Sequence, residues 1–184
     1  AIDRLPPHLQ RLLRDYCFRS DADAANYVSM LLTGVLITHF IDEGKPIFGF
    51  DGNQPGVGKS LAATTGGLLL DGVVPTLNRY LTDEGELEKQ IVATLKMNRQ
   101  SMLIFDNAKL PNGAAISSPI IESMSTAPRL SGRILGLSEN LVRPNDVLWA
   151  ITMNSTQMSR DLAARSVAIQ FAYEGDPRLI PSFT

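Results

Sequence analysis

The chain has 184 residues, of which 44% are hydrophobic and 20% charged, so it can bury one sizeable core as a globular unit. A formal net charge of -2 excludes a basic surface over the whole molecule, and any nucleic acid would have to be bound by a local patch. One cysteine and two histidines exclude an internal disulfide and a zinc cluster, and the lack of a long apolar run predicts a cytoplasmic protein without membrane contact.

Two helices are predicted at the start of the chain. Apolar residues recur at helical spacing over 8–19 and 23–40, and Ser20-Asp21 offers a cap for the second helix. We expect residues 1–45 to be a helical segment that packs on the core, either covering a sheet edge or acting as a collar for self-association. Residues 46–184 are predicted to be the core domain, as a fragment of a larger protein.

Short apolar strands then alternate with helices. Strands are predicted at 47–50, 73–80, 102–105, 147–152 and 167–171. Helices are predicted at 60–70, 83–98, 117–126 and 159–164. This alternation indicates an α/β fold with an open, five-stranded parallel sheet flanked by helices.

A small hairpin is predicted before the fourth strand of this sheet. Residues 133–137 and 140–143 have strand character and flank Ser138-Glu139. Insertions of this kind often carry function.

Residues 51–60 read Asp-Gly-Asn-Gln-Pro-Gly-Val-Gly-Lys-Ser and follow the phosphate-loop pattern G-x-x-x-x-G-K-[ST] except at Asn53, where the pattern has glycine. Asparagine adopts left-handed backbone angles more readily than other non-glycine residues, and this predicts that Asn53 is tolerated. In such a loop Lys59 binds the β and γ phosphates, and the Ser60 hydroxyl ligates Mg²⁺. The nucleotide is expected to contact Asn53, Gln54, Pro55, Gly56, Val57, Gly58, Lys59, Ser60 and Leu61.

Three further features follow in chain order. Asp106 ends an apolar strand, where a carboxylate holds magnesium in nucleoside triphosphatases, although a strand-ending turn is the alternative. Asn154 ends another apolar strand and is a candidate to orient the attacking water, or only to begin a turn. Arg160 and Arg165 lie on a short helix, where they are either solvated or presented to the nucleotide of a neighbouring subunit.

As an ordered set over about residues 46–172, these motifs resemble the hexameric AAA+ ATPases, and especially the superfamily 3 helicases and related helicase-like ATPases of phage and integrated mobile elements. The resemblance implies a ring whose subunits bind ATP and Mg²⁺ between them. It implies that Asp106 is the Walker B acid, which shares the metal with Ser60, and that Asn154 is sensor 1. Arg165 is then the arginine finger acting in trans, with Arg160 in reserve.

The resemblance also makes the hairpin at 133–144 the pre-sensor 1 hairpin, which in replicative relatives projects toward DNA. The sequence departs from the family at three points, of which the first is Asn53 in place of the loop glycine. Asn107 stands where many AAA+ proteins have the glutamate that polarises water, so another acid does that work or turnover is slow. The hairpin tip has no lysine or histidine for a phosphate backbone. The candidate nucleic acid contacts nearby are Lys109, Arg133 and Arg143, each of which is otherwise ordinary surface charge.

Three functions are compatible with these motifs. The first is an ATP-hydrolysing motor domain, a DNA helicase or replication-initiation ATPase of a mobile element. The second is a nucleotide-dependent assembly or loading module with slow turnover. The third is a small-molecule kinase, which would need an acceptor site and an arginine-rich lid over the phosphates.

Overall fold

The structure, a computed structural model, describes residues 2–37, 39–97, 100–136 and 138–179. The strands are β1 (Ile47–Gly52), β2 (Leu77–Arg79), β3 (Met102–Ala108), β4 (Arg129–Arg133), β5 (Asn140–Pro144), β6 (Leu148–Met153) and β7 (Ser166–Phe171). The helices are α1 (Pro7–Leu13), α2 (Asp21–Leu36), α3 (Lys59–Asp71), α4 (Glu84–Met97), α5 (Pro119–Thr126) and α6 (Arg160–Ala164). Of the helices in the described part of the chain, none is both long and apolar enough to cross a bilayer.

Five strands form one parallel sheet in the order β2-β3-β6-β1-β7, and β4 pairs with β5 as a separate antiparallel hairpin. The predicted five-stranded parallel α/β fold is confirmed. Because parallel strands all point the same way, β1, β3 and β6 end at one edge of the sheet, which we call the C-terminal edge. The segments that carry the predicted motifs leave from this edge.

Each face of the sheet has its own apolar core, because side chains alternate along every strand. On β1, Phe48 and Phe50 pack with residues of α2 and α3, whereas Ile47 packs with residues of α4 and α5. On β6, Trp149 joins the second cluster and is fully buried. Two buried faces account for the largely apolar sequences of the central strands β1, β3 and β6.

The chain before β1 covers β7, one of the two outermost strands of the sheet. The Arg19 backbone N–H donates to the Gln170 carbonyl over 2.8 Å, and the Gln170 N–H donates to Oδ1 of Asp23 over 2.8 Å. The Asn26 side chain donates to the Ala168 carbonyl over 2.8 Å. These bonds use backbone groups that an uncovered edge strand would offer to another chain.

Two predicted strands have different bounds in the structure. The strand predicted at 73–80 is reduced to Leu77–Arg79, since Pro75 lacks the N–H that a ladder needs. The first hairpin strand, predicted at 133–137, instead lies at Arg129–Arg133, where Arg133 pairs with Asn140. Gly136, at φ 76, turns the chain beyond it.

The first predicted helix also differs, since it ends at Leu13 rather than at residue 19. A turn follows at Arg14 and Asp15, and Phe18 then forms an antiparallel bridge with Phe171 of β7. Residues 38, 98 and 137, which belong to predicted elements, lie outside the described part of the chain.

Candidate functional site

A glycine-rich loop connects β1 to α3 at the C-terminal edge. Gly56 and Gly58 have φ of 86° and 90°, a conformation that strains residues with a Cβ atom. Gly58 is the N-cap of α3 and provides no side-chain hydrogen bond to the helix. The first N–H groups of α3 therefore lack a side-chain cap, which is the arrangement that binds a phosphate at a helix N-terminus.

Lys59, the first residue of α3, is 6% exposed. Its Nζ atom donates to the Gln54 carbonyl of the same loop over 3.0 Å. Burial lowers the pKa of Lys59, and the charges of Asp51 and Asp106 oppose that shift. The ammonium group thus lies inside the loop on a neutral acceptor that an anionic ligand could replace.

Asp106 is the centre of a small hydrogen-bond network. Its Oδ1 atom accepts from the Ser60 hydroxyl over 2.5 Å and from the Thr152 hydroxyl over 2.7 Å. Its Oδ2 atom has no hydrogen bond within the described ranges. The structure therefore brings a hydroxyl of α3 and a carboxylate of β3 together, and these are the hard oxygen donors that Mg²⁺ takes.

Asn107 and Asn154 meet beside this network. Asn154 donates from Nδ2 to Oδ1 of Asn107 over 3.0 Å, and the Asn107 N–H donates to the Thr152 hydroxyl over 2.8 Å. Asn107 has φ of 51°, and the pairing of β3 with β6 shifts register at this point. This irregular part of β3 presents an amide, and not a carboxylate, at the predicted catalytic position.

Asn53 does not have the left-handed backbone that we predicted from its residue type, since its φ is not positive. That physical reason for the missing glycine is therefore wrong. The Asn53 side chain instead bonds to the backbone of Tyr173 through both amide atoms. Among its neighbours in the loop, Val57 is buried in the core and Leu61 is 44% exposed.

Arg165 lies at the opposite edge of the sheet from the loop. It ends α6, and its carbonyl accepts from the N–H of Ile47, the first residue of β1. The loop begins at the other end of β1, roughly 16 Å away at about 3.3 Å per residue. Arg165 and Arg160 are exposed, and neither makes a side-chain hydrogen bond or ion pair within the described ranges. Arg165 is therefore far from the loop of its own chain and open to a second molecule.

The three nucleic acid candidates lie on different elements, with Lys109 after β3, Arg133 on β4 and Arg143 on β5. Lys109 lines a cleft of about 810 Å³ together with Asp106 and Asn107. Arg143 donates to the Leu95 carbonyl over 2.9 Å and forms an ion pair with Asp146 at 2.6 Å, so internal contacts hold its guanidinium. Arg133 ends β4 and is exposed.

Sequence reasoning did not identify Thr152 or Asp51 as parts of this site. Thr152 is 1% exposed, and its hydroxyl joins Asp106 to the Asn107 backbone. Oδ1 of Asp51 accepts from the Ser155 N–H over 2.8 Å, which ties the end of β1 to the turn after β6. The available signal was a hydroxyl residue inside the otherwise apolar strand Leu148–Met153.

No protein-family model matches the sequence, and no curated protein matches it. The fold is similar to that of "JCV Helicase", with a TM-score of 0.59 and 16% identity over 91% of this chain. An inhibitor-bound structure of the same helicase gives a TM-score of 0.54 and 18% identity over 90% of this chain. The chain spans about half the length of these helicase chains, 45% and 44% respectively. The chain therefore shares its fold with these solved structures.

Proposed function

We propose that this chain is an ATP-hydrolysing motor domain of a ring-forming DNA helicase or replication-initiation ATPase from a phage or mobile element. The observation that carries the proposal is the convergence at the C-terminal edge. Lys59 lies in an uncapped glycine loop, Ser60 contacts Asp106 at 2.5 Å, and Asn154 contacts the residue after that acid at 3.0 Å. The likeness in fold to a helicase supports the same conclusion.

The residues at this edge fit MgATP as the ligand. Ser60 and Asp106 would hold Mg²⁺, while the loop N–H groups and Lys59 would bind the phosphates. When bound, the magnesium ion supplies positive charge that stabilises the negative charge of the triphosphate. The Thr152 hydroxyl donates to the Asp106 carboxylate, and Asn154 would orient a water molecule through its amide.

The position of Arg165 supports a ring, proposed to be a hexamer. An arginine that is exposed and far from its own loop can act at the loop of an adjacent subunit, where its guanidinium would stabilise charge that develops on the phosphates. Arg160 is the reserve candidate on the same helix. DNA is the proposed substrate, with Lys109 and Arg133 as the exposed candidate contacts.

Mixing two inactive variants tests the proposal. We expect Lys59→Ala and Arg165→Ala each to reduce ATP hydrolysis by about a hundredfold or more, since each removes a cation from the transition state. A mixture of the two should regain activity, because some interfaces then combine an intact loop with an intact finger. Arg160→Ala, measured in parallel, decides between the two arginines.

Arg14→Ala is the matched control, because Arg14 is exposed beside α1 and should leave hydrolysis unchanged. Full activity in Arg165→Ala and in Arg160→Ala would exclude the trans arrangement. Wild-type protein that neither binds nor hydrolyses ATP would exclude the motor itself. Molecular mass in solution with ATP, with and without single-stranded DNA, separately tests the ring and the DNA contact.

One observation favours a second function, a nucleotide-dependent assembly or loading module with slow turnover. The residue after Asp106 is an asparagine whose amide is bonded to Asn154, so this position offers no carboxylate to polarise water. Self-association that depends on ATP, without DNA and with negligible hydrolysis, would support this module over the motor.

A further inference from the structure

The first half of the phosphate loop is bonded to the segment that follows β7. We call residues 172–177 the strap. The Asn53 N–H donates to the Phe171 carbonyl over 3.2 Å, which continues the pairing of β1 with β7 by one residue. The Asn53 side chain then donates to the Tyr173 carbonyl over 3.0 Å and accepts from the Tyr173 N–H over 3.3 Å. One amide side chain thus uses both backbone groups of one strap residue.

Gln54 and Gly56 add contacts along the same segment. Gln54 donates from Nε2 to the carbonyls of Tyr173 and Gly175, over 2.8 and 3.0 Å. A Cβ atom at Gly56 would lie 3.1 Å from Cβ of Pro177, so that proline packs closely against the loop backbone. The strap therefore contacts the loop at three of its residues.

These contacts bear on the phosphate site through Lys59. The carbonyl that accepts from Nζ of Lys59 belongs to Gln54, whose side chain is bonded to the strap. The loop cannot shift at Gln54 without breaking strap bonds or moving the acceptor of the lysine. A glycine at position 53, as the phosphate-loop pattern has, would provide neither side-chain bond to Tyr173.

We infer that Asn53 and Gln54 are positioning residues, which use the strap to hold the phosphate loop in its binding shape before nucleotide arrives. The inference rests on the proposed function, because it deepens the account of the same loop. Because the strap already orders the loop, nucleotide binding costs less conformational entropy, and the affinity for nucleotide is higher. Both residues lie on the part of the loop that precedes Gly56, away from the bond between Ser60 and Asp106. The strap should therefore affect nucleotide affinity more than turnover at saturation.

Asn53→Gly tests this directly, since it restores the common glycine and removes the two side-chain bonds to Tyr173. We expect the Kd for MgATP to rise about fivefold to tenfold, as for the loss of one or two hydrogen bonds. The kcat at saturating ATP should fall by a smaller factor than the Kd rises. Gln54→Met, which keeps the side-chain length and removes the donor, should raise Kd in the same way. It also carries the test if Asn53→Gly fails to fold.

Hydrogen exchange of the strap provides a readout that a purely structural role would not change. In wild-type protein, MgATP should slow exchange of the strap amides, because the ligand and the strap order the same loop. In Asn53→Gly this slowing should be lost. Asn112→Gly is the matched control, because Asn112 is exposed in a separate turn with φ of 59°, and it should change neither Kd nor exchange.

Unchanged Kd in both Asn53→Gly and Gln54→Met would overturn the inference. Failure of the proposed function gives a different result, since wild type would then not bind MgATP, or Lys59→Ala would bind it equally well.

Discussion

Lys59 and Lys45 are both buried, 6% and 2% exposed, but they lie at opposite edges of the sheet. Burial lowers the pKa of each. Lys45 precedes β1, and its ammonium group donates to the Asn145 carbonyl. Lys59 follows β1 and donates to a carbonyl of its own loop. Burial and pKa alone do not distinguish them.

Their partners distinguish the two lysines. Nδ2 of Asn145 donates to the carbonyls of Met124, Ser125 and Ala127 at the end of α5, and its Oδ1 accepts from the Trp149 indole N–H. Lys45 is thus attached to a network that joins α5 to β6. At the other edge, one oxygen of Asp106 and the start of α3 remain open to a ligand. A buried lysine indicates a binding site only where its surroundings can accept another group.

The largest expected effect is on ATP turnover, from a substitution of Asp106 at the C-terminal edge. Asp106→Asn keeps an oxygen that can accept from Ser60 and Thr152, but removes the negative charge that Mg²⁺ requires. We expect hydrolysis of MgATP to fall by about a hundredfold to a thousandfold, with little change in the free energy of unfolding. Steady-state kinetics and thermal unfolding measure the two quantities. Hydrolysis at the wild-type rate would remove Asp106 from the site.

At the edge where Lys45 and Asn145 lie, we expect a substitution to change the stability of the fold and to leave nucleotide binding unchanged. Asn145→Ala removes the acceptor of the Trp149 N–H and the side-chain donor to the Met124 and Ala127 carbonyls. We expect the free energy of unfolding to fall by about 3 to 5 kcal/mol, while the Kd for MgATP stays unchanged in the folded fraction. Urea unfolding gives the first quantity. Asn140→Ala, on the exposed hairpin, is the control and should change it by less than about 0.5 kcal/mol.

Thr152 should affect both quantities, because it is buried and also contacts the acid. Thr152→Val keeps the shape and removes the hydroxyl that joins Asp106 to the Asn107 N–H. We expect a loss of about 1 to 3 kcal/mol in stability and about a tenfold fall in kcat. Thr152→Ser should restore most of both. Loss of stability with unchanged kcat would make Thr152 only a packing residue.

The smallest expected effect is the pH dependence of stability due to Lys45. The pKa of Lys45 in the folded chain lies below the ordinary value of 10.5. Between these two pKa values the unfolded chain binds more protons than the folded chain, so the free energy of unfolding rises with pH. Charging Lys45 in the fold costs stability at neutral pH, and this cost disappears as pH approaches 10.5. Wild type should therefore gain stability relative to Lys45→Met over that window, as urea unfolding at several pH values would show. If the stability of wild type relative to Lys45→Met fell as pH rises, the expected direction would be wrong.

Local residue patterns were sufficient to predict the order of strands and helices and the class of fold. Short apolar runs such as Met102–Phe105 indicate buried strands, and the glycines at 56 and 58 mark a loop whose backbone has positive φ. The same patterns placed candidate groups on the segments that leave the C-terminal edge, because parallel strands end together.

Only the tertiary structure decided which polar groups make contact, since hydrogen bonds depend on distances between residues far apart in the chain. Thr152 meets Asp106 across 46 positions, and Asn53 meets Tyr173 across 120. Residue type alone gave the wrong reason for Asn53, because its side chain, and not its backbone angle, accounts for it. The sequence by itself thus determined the elements and the candidate residues. The tertiary structure determined which residues these candidates contact. It did so by pairing β6 between β1 and β3, and by packing the strap on the loop.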